Sequence, residues 1–216
     1  VKLKIIFGSL LVWFFLQASN ALAMPGFIKY KIKPSDTYSK ICKKKLHYFN
    51  TELLNLLIKI NRTDAGHLVP GYTIYLPLDI ELARAYCPLP KFFEPLNKYP
   101  RCIHVNLLKQ YFGAYEFGSL KFWGPISSGK KGEETPTGKF MVLEKKIDKI
   151  SSICGKTMYY SLKFFGGYFM HHQSLNGKPN SIGCVRTLLG DAKKLFYWIK
   201  IKDPIIVHKD TLAALK

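Results

Sequence analysis

The chain has 216 residues, 48% of them hydrophobic and 22% charged, a composition that excludes disordered and collagen-like proteins and allows one or two folded domains. Its 33 Lys and Arg outweigh 14 Asp and Glu, for a formal net charge of +19. Such a balance selects an anionic partner, whether nucleic acid, a membrane surface or an acidic polymer.

The first segment narrows that choice. Lys2 and Lys4 precede an apolar run over residues 5–16, and Ala21-Leu22-Ala23 supplies the small-x-small pattern of a signal-peptidase site. The expectation is a signal peptide over residues 1–23, cleaved after Ala23. The apolar run is short of the roughly 20 residues that span a bilayer, so no stable membrane anchor is expected. Export would carry the mature protein across the inner membrane to a periplasm or cell wall, where the wall polymer is a fitting partner and nucleic acid is not. The basic runs Lys43-Lys44-Lys45 and Lys145-Lys146 are accordingly read as solvated faces.

Residues 30–33 alternate like a short strand, and Pro34-Ser35-Asp36-Thr37 forms a turn able to cap a helix over residues 38–45. Residues 51–60 carry Leu and Ile at helical spacing, with Thr51 as the expected cap. Residues 61–66 break the pattern, Val69-Pro70-Gly71-Tyr72 turns the chain, and Thr73-Ile74-Tyr75-Leu76-Pro77 returns to strand. This small α+β unit, ordered βααβ over residues 28–78, resembles the LysM module. The matching residues are Tyr30-Lys31-Ile32, Asp36-Thr37, Ile41, Leu57-Ile58, Asn61, Pro70-Gly71 and Ile74-Tyr75-Leu76-Pro77. The resemblance implies a binder of glycans containing N-acetylglucosamine.

Residues 79–101 are rich in proline, at Pro88, Pro90, Pro95 and Pro100, and read either as a semi-rigid linker or as a segment lying on the next domain. From 102 to 209 the chain reads as mainly β, with strands near residues 103–107, 113–117, 139–144, 159–165 and 168–172. One helix is expected, over residues 190–200, with Asp191 near its start.

The chemistry concentrates in Ser181-Ile182-Gly183-Cys184-Val185-Arg186, with His171 and His172 upstream. A cysteine after glycine with a histidine in reach is the minimal equipment for thiol acyl transfer: a thiolate attacks a carbonyl, an imidazole moves protons and backbone N–H groups hold the oxyanion. A lone Cys/His pair is more often packing. Zinc ligation by Cys154, His171, His172 and Cys184 is disfavoured, because paired C-x-x-C spacing is missing and adjacent histidines on a strand face opposite ways. The export signal makes an odd count of mature cysteines informative. One functional thiol is expected, with Cys42, Cys87, Cys102 and Cys154 paired in an order the sequence leaves open.

Met170-His171-His172 followed by the Cys184 run resembles the signature of the YkuD-type L,D-transpeptidases. Ile126-Ser127-Ser128-Gly129, Thr135-Pro136-Thr137-Gly138-Lys139-Phe140 and Ile103-His104-Val105-Asn106-Leu107 are similar to further motifs of that family, in the family's order. The resemblance implies a mixed β sandwich or barrel and a peptidoglycan stem tetrapeptide as acyl donor. It further implies Cys184 as nucleophile, His171 as base, and the backbone carbonyl of residue 172 as the group orienting the imidazole, in a position where the family has glycine. Gly183 and Cys184 would supply oxyanion N–H groups, Ser181 would fix the turn, and Arg186 would either bond loop carbonyls or pair with a substrate carboxylate. No metal or cofactor is required, and carbapenems would acylate the thiol. The acyl acceptor, which could be a second stem, an envelope protein or water, stays open, as do a thiol hydrolase and an inactive wall-binding protein.

Overall fold

The computed structural model describes residues 24–209, so the expected signal peptide lies outside the described residues. Strands β1 (Phe27–Lys31) and β2 (Thr73–Pro77) pair antiparallel, with Phe27 opposite Pro77 and Lys31 opposite Thr73. Between them in sequence run α1 (Tyr38–Lys45) and α2 (Thr51–Asn61). Thr37 caps α1 by accepting from the Lys40 N–H, as expected. On α2 the cap is Asn50 rather than Thr51: the Asn50 side chain accepts from the Leu53 N–H at 2.8 Å, and Thr51 is the first helical residue. The α2 stripe Leu53, Leu57 closes over Tyr38, Ile41 and Cys42 of α1 and Ile32, Ile74 and Leu76 to make one small core. Buried Asn61 ties the helix to β2, donating to the Leu57 and Tyr75 carbonyls and accepting from the Tyr75 N–H at 2.7 Å.

The proline-rich stretch is folded onto its neighbours. Helix α3 (Ile80–Ala85) is capped by Asp79 and joined to α2 through Arg84 and Glu52, and a 3-10 turn covers Glu94–Leu96. Phe93 and Leu96 are buried against Cys102, Tyr115 and Ile206, and the Leu120 N–H donates to the Lys91 carbonyl. Of the two courses left open by the sequence, this is the segment lying on the next domain.

That domain is one nine-stranded sheet. Its strands are β3 (Cys102–Asn106), β4 (Tyr111–Glu116), β5 (Ser119–Ser127), β6 (Gly138–Met141), β7 (Glu144–Ile150), β8 (Thr157–Phe165), β9 (Tyr168–His172), β10 (Val185–Thr187) and β11 (Pro204–His208), in the spatial order β6-β11-β3-β4-β5-β10-β9-β8-β7. The sheet curls until its ends approach: Phe140 of β6 lies 5.4 Å and 5.2 Å, ring to ring, from Phe164 and Phe165 of β8. Helix α4 (Leu189–Trp198) presses Leu195 and Phe196 into the enclosed core beside Ile103, Phe112, Met170 and Val185. The strand expected over residues 139–144 is two strands, which part at buried Val142. β10 is the strand-like Val185-Arg186 after Cys184, extended by Thr187, whereas β5, β7 beyond Glu144 and β11 are not among the expected strands; Pro125 interrupts the first of these and Pro204 opens the last.

The βααβ unit is docked on the sheet. Tyr111 of β4 donates its hydroxyl to the Ile60 carbonyl at 2.7 Å, Lys59 sits over the Trp123 ring at 4.6 Å, and Tyr86 makes edge contacts with Phe27, Tyr111 and Trp123.

Candidate active site

β9 and β10 run side by side in parallel, with Val185 opposite Met170 and Arg186 opposite His171. The two-residue period sends Met170 and Val185 into the core. The same period turns His171, Cys184 and Arg186 to the other face, where they line a small open cavity of about 50 Å³ together with Ser181 and with Cys154 from the β7–β8 hairpin.

His171 is 3% exposed, and its Nδ1 lies 2.9 Å from the carbonyl of His172. A carbonyl only accepts, so Nδ1 carries the proton and Nε2 is the basic nitrogen. Burial pushes the imidazole pKa down to about 4, so the ring is neutral near pH 7. The side chain of His172 is turned elsewhere, its Nδ1 donating to the Thr187 carbonyl at 3.1 Å. Burial raises the Cys184 thiol above its ordinary value, with the Phe169 N–H and the Arg186 charge drawing it partly back. The resting pair is therefore neutral thiol and neutral imidazole.

Gly183 has φ 95°, and a Cβ there would come within 2.4 Å of the Tyr168 ring, so only glycine fits. Its carbonyl accepts from the Thr135 hydroxyl at 2.7 Å, and Thr135 in turn accepts from the Gly129 N–H at 2.9 Å. Because carbonyl and N–H of one trans peptide point opposite ways, this bond aims the Cys184 N–H away from Thr135. Ser181, also buried, donates its hydroxyl to the Cys184 carbonyl and closes the turn. Arg186 is half-buried, and its Nε is without a hydrogen-bond partner among the described residues.

The sequence singled out His171, His172, Ser181, Gly183, Cys184 and Arg186; the fold brings His171, Ser181, Cys184 and Arg186 to this cavity, whereas Gly183, which is buried, and His172 do not line it. Thr135, which carries no expected site role, braces Gly183, and its place in Thr-Pro-x-Gly is the local signal for it. Cys154 has no local signal, because a hairpin delivers it. The expected cysteine pairing is not found: all five thiols are free. Cys42 lies in the core of the βααβ unit, Cys102 on β3 beneath Phe93, Cys87 donates to the Leu89 carbonyl, and Cys154 is exposed, so they occupy separate surroundings. The described residues contain no group of three or more His, Cys, Asp or Glu arranged to hold a metal ion, and no helix among them is long and apolar enough to cross a membrane.

A curled mixed sheet that gathers a thiol, an imidazole and a guanidinium around one cavity on β9 and β10 is the architecture of an L,D-transpeptidase catalytic domain. The family model for the YkuD L,D-transpeptidase catalytic domain matches residues 100–207, and the chain belongs to that family. Among solved structures, an L,D-transpeptidase from Xylanimonas cellulosilytica is 20% identical with a TM-score of 0.52, covering 74% of this chain and 81% of that one. An L,D-transpeptidase from Stackebrandtia nassauensis is 22% identical with a TM-score of 0.50, covering 59% of this chain. The match spans 62% of the Stackebrandtia protein's length. At these identities the likeness is one of fold. No curated protein matches the chain.

Proposed function

We propose that this protein is a peptidoglycan L,D-transpeptidase that works by thiol acyl transfer on Cys184. The observation that carries the reading is the placement of Cys184, His171 and Arg186 around one cavity, with His171 Nδ1 bonded to the His172 carbonyl. As Cys184 Sγ attacks the carbonyl of the third residue of a stem tetrapeptide, Nε2 of His171 takes the thiol proton. The N–H groups of Gly183 and Cys184 hold the oxyanion. The imidazolium then protonates the leaving D-alanine, and an amine opens the thioester to give a 3-3 cross-link or a wall-tethered protein. Ser181 keeps the turn, and Arg186, which lines the cavity, pairs with a substrate carboxylate.

The wider reading is an exported, wall-associated enzyme whose residues 1–23 direct secretion and whose βααβ unit, in the manner of LysM, holds glycan. The test is mass analysis of the protein incubated with disaccharide tetrapeptide. Release of D-alanine with dimer formation is expected, and release without dimers indicates an L,D-carboxypeptidase. No change would favour a wall-binding protein. In parallel, a carbapenem should add once to the wild type and not to Cys184→Ala, and an equal adduct on that variant would remove Cys184 from the mechanism.

A further inference from the structure

β9 and β10 are parallel neighbours, and a parallel pair needs a crossover, ordinarily carrying a helix that holds its own backbone. Here Cys184 follows His171 by only 13 positions, and residues 173–184 contain no helix. This connector must therefore take its order from outside, and the partners of its backbone can be named. Its C-terminal end is bound within the sheet domain, where the Asn180 and Ser181 N–H groups both donate to the Ser128 carbonyl at 3.0 Å and the Ser127 hydroxyl donates to the Lys178 carbonyl at 2.7 Å.

The middle of the connector is held by the other unit. The loop leaving α2 lies against it as a short antiparallel bridge centred on Thr63 and Asn176. Asp64 donates its N–H to the Leu175 carbonyl at 3.0 Å and accepts the Leu175 N–H on Oδ2 at 2.9 Å. The Gly177 N–H donates to the Arg62 carbonyl at 2.8 Å, and Leu175 is wholly buried at the junction. Arg62 can offer that carbonyl because the chain leaves α2 there in a left-handed turn, φ 57°.

We propose that Asp64, on the N-terminal unit, is a positioning residue of the active site: its carboxylate fixes Leu175 and so the connector that sets Cys184 against His171. The proposal rests on the assignment of Cys184 and His171 for its effect on reaction, though not for its effect on the connector. Small losses of alignment are costly in such a pair, since a misplacement of about 1 Å can cost roughly 10²-fold in rate. The N-terminal unit is then part of the catalytic machinery and not only a tether.

The experiment uses the whole protein and two variants, Asp64→Ala, which removes the acceptor, and Asp64→Asn, whose side-chain oxygen still accepts from Leu175. Hydrogen exchange reads the connector directly, and the rate of carbapenem addition to Cys184 reads the reaction. We expect Asp64→Ala to speed exchange over residues 173–180 at least tenfold and to slow acylation about 10- to 100-fold. Asp64→Asn should stay within about threefold of wild type on both, a rescue that a simple loss of charge would not give. Faster exchange with an unchanged acylation rate would overturn the proposal, as would an Asp64→Asn variant as slow as Asp64→Ala. If Cys184→Ala still takes the adduct, the assignment of the nucleophile falls, while the exchange result still decides whether Asp64 holds the connector.

Discussion

The βααβ unit and the curled sheet contain the same reactive residue types in opposite settings. In the small unit, Cys42 is sealed in a hydrophobic core that pushes its thiol up to about 11, and His47 and His67 lie in solvent. In the sheet, Cys184 borders a cavity, and His104 and His171 are buried. Side-chain identity is therefore a poor guide to reactivity; what faces the group decides, through burial, a fixed hydrogen bond and an open approach.

The sharpest way to break that contrast is at the histidines. His171→Ala should lower the acylation rate by about two to four orders of magnitude, the scale of general acid–base catalysis. His47→Ala, exposed on the small unit, should leave it unchanged. His172→Gly should be tolerated or faster, since the backbone carbonyl that binds His171 survives. Stopped-flow acylation measures all three, and a larger loss at His172 than at His171 would reverse the assignment.

Cysteine labelling comes next. Cys154 is exposed, and the Ser151 hydroxyl and Lys156 N–H hold its thiol below the ordinary range, whereas burial puts Cys102 at about 12. With iodoacetamide on the native protein, Cys154 should be alkylated more than roughly 10²-fold faster than Cys42 or Cys102, which should react only on unfolding. Peptide mapping over time checks the order, and native labelling of Cys42 would show the small unit opening on its own.

Acid separates the two units by a smaller step. Burial holds His104 at about 3 and His171 at about 4, so both stay neutral in the folded protein while their unfolded counterparts bind protons below about pH 6.5. The unfolded state then carries more protons, and stability falls as pH drops from about 6.5 towards 3, by on the order of a kcal/mol per pH unit for each group. Hydrogen exchange should show the sheet domain loosening before the βααβ unit, which has no buried histidine. For the same reason the acid limb of acylation should lie near pH 4, and a limb near 6.5 would mean that His171 is solvated in the working enzyme.

The smallest effect concerns helix caps. Thr37→Ala should cost about 1 kcal/mol in α1, whereas α4 has no side-chain cap at Leu188 to lose. Urea melts of Thr37→Ala and Leu188→Ala would measure the difference.

The sequence by itself determined the βααβ order, because caps, helical spacing and turn residues act within a few positions of one another. Even there the cap moved from Thr51 to Asn50, since both side chains can accept and only the backbone angles choose. It also singled out the candidate residues His171, Cys184 and Arg186, which the fold places together on β9 and β10, because Gly183, Cys184 and the alternation around them are local. Only the tertiary structure decided that β5, β10 and β11 complete the sheet, that Thr135 braces Gly183, that Cys154 reaches the cavity and that Asp64 reaches Leu175. Those contacts join residues far apart in the chain, and no short-range pattern encodes a partner whose position is fixed by how the sheet curls.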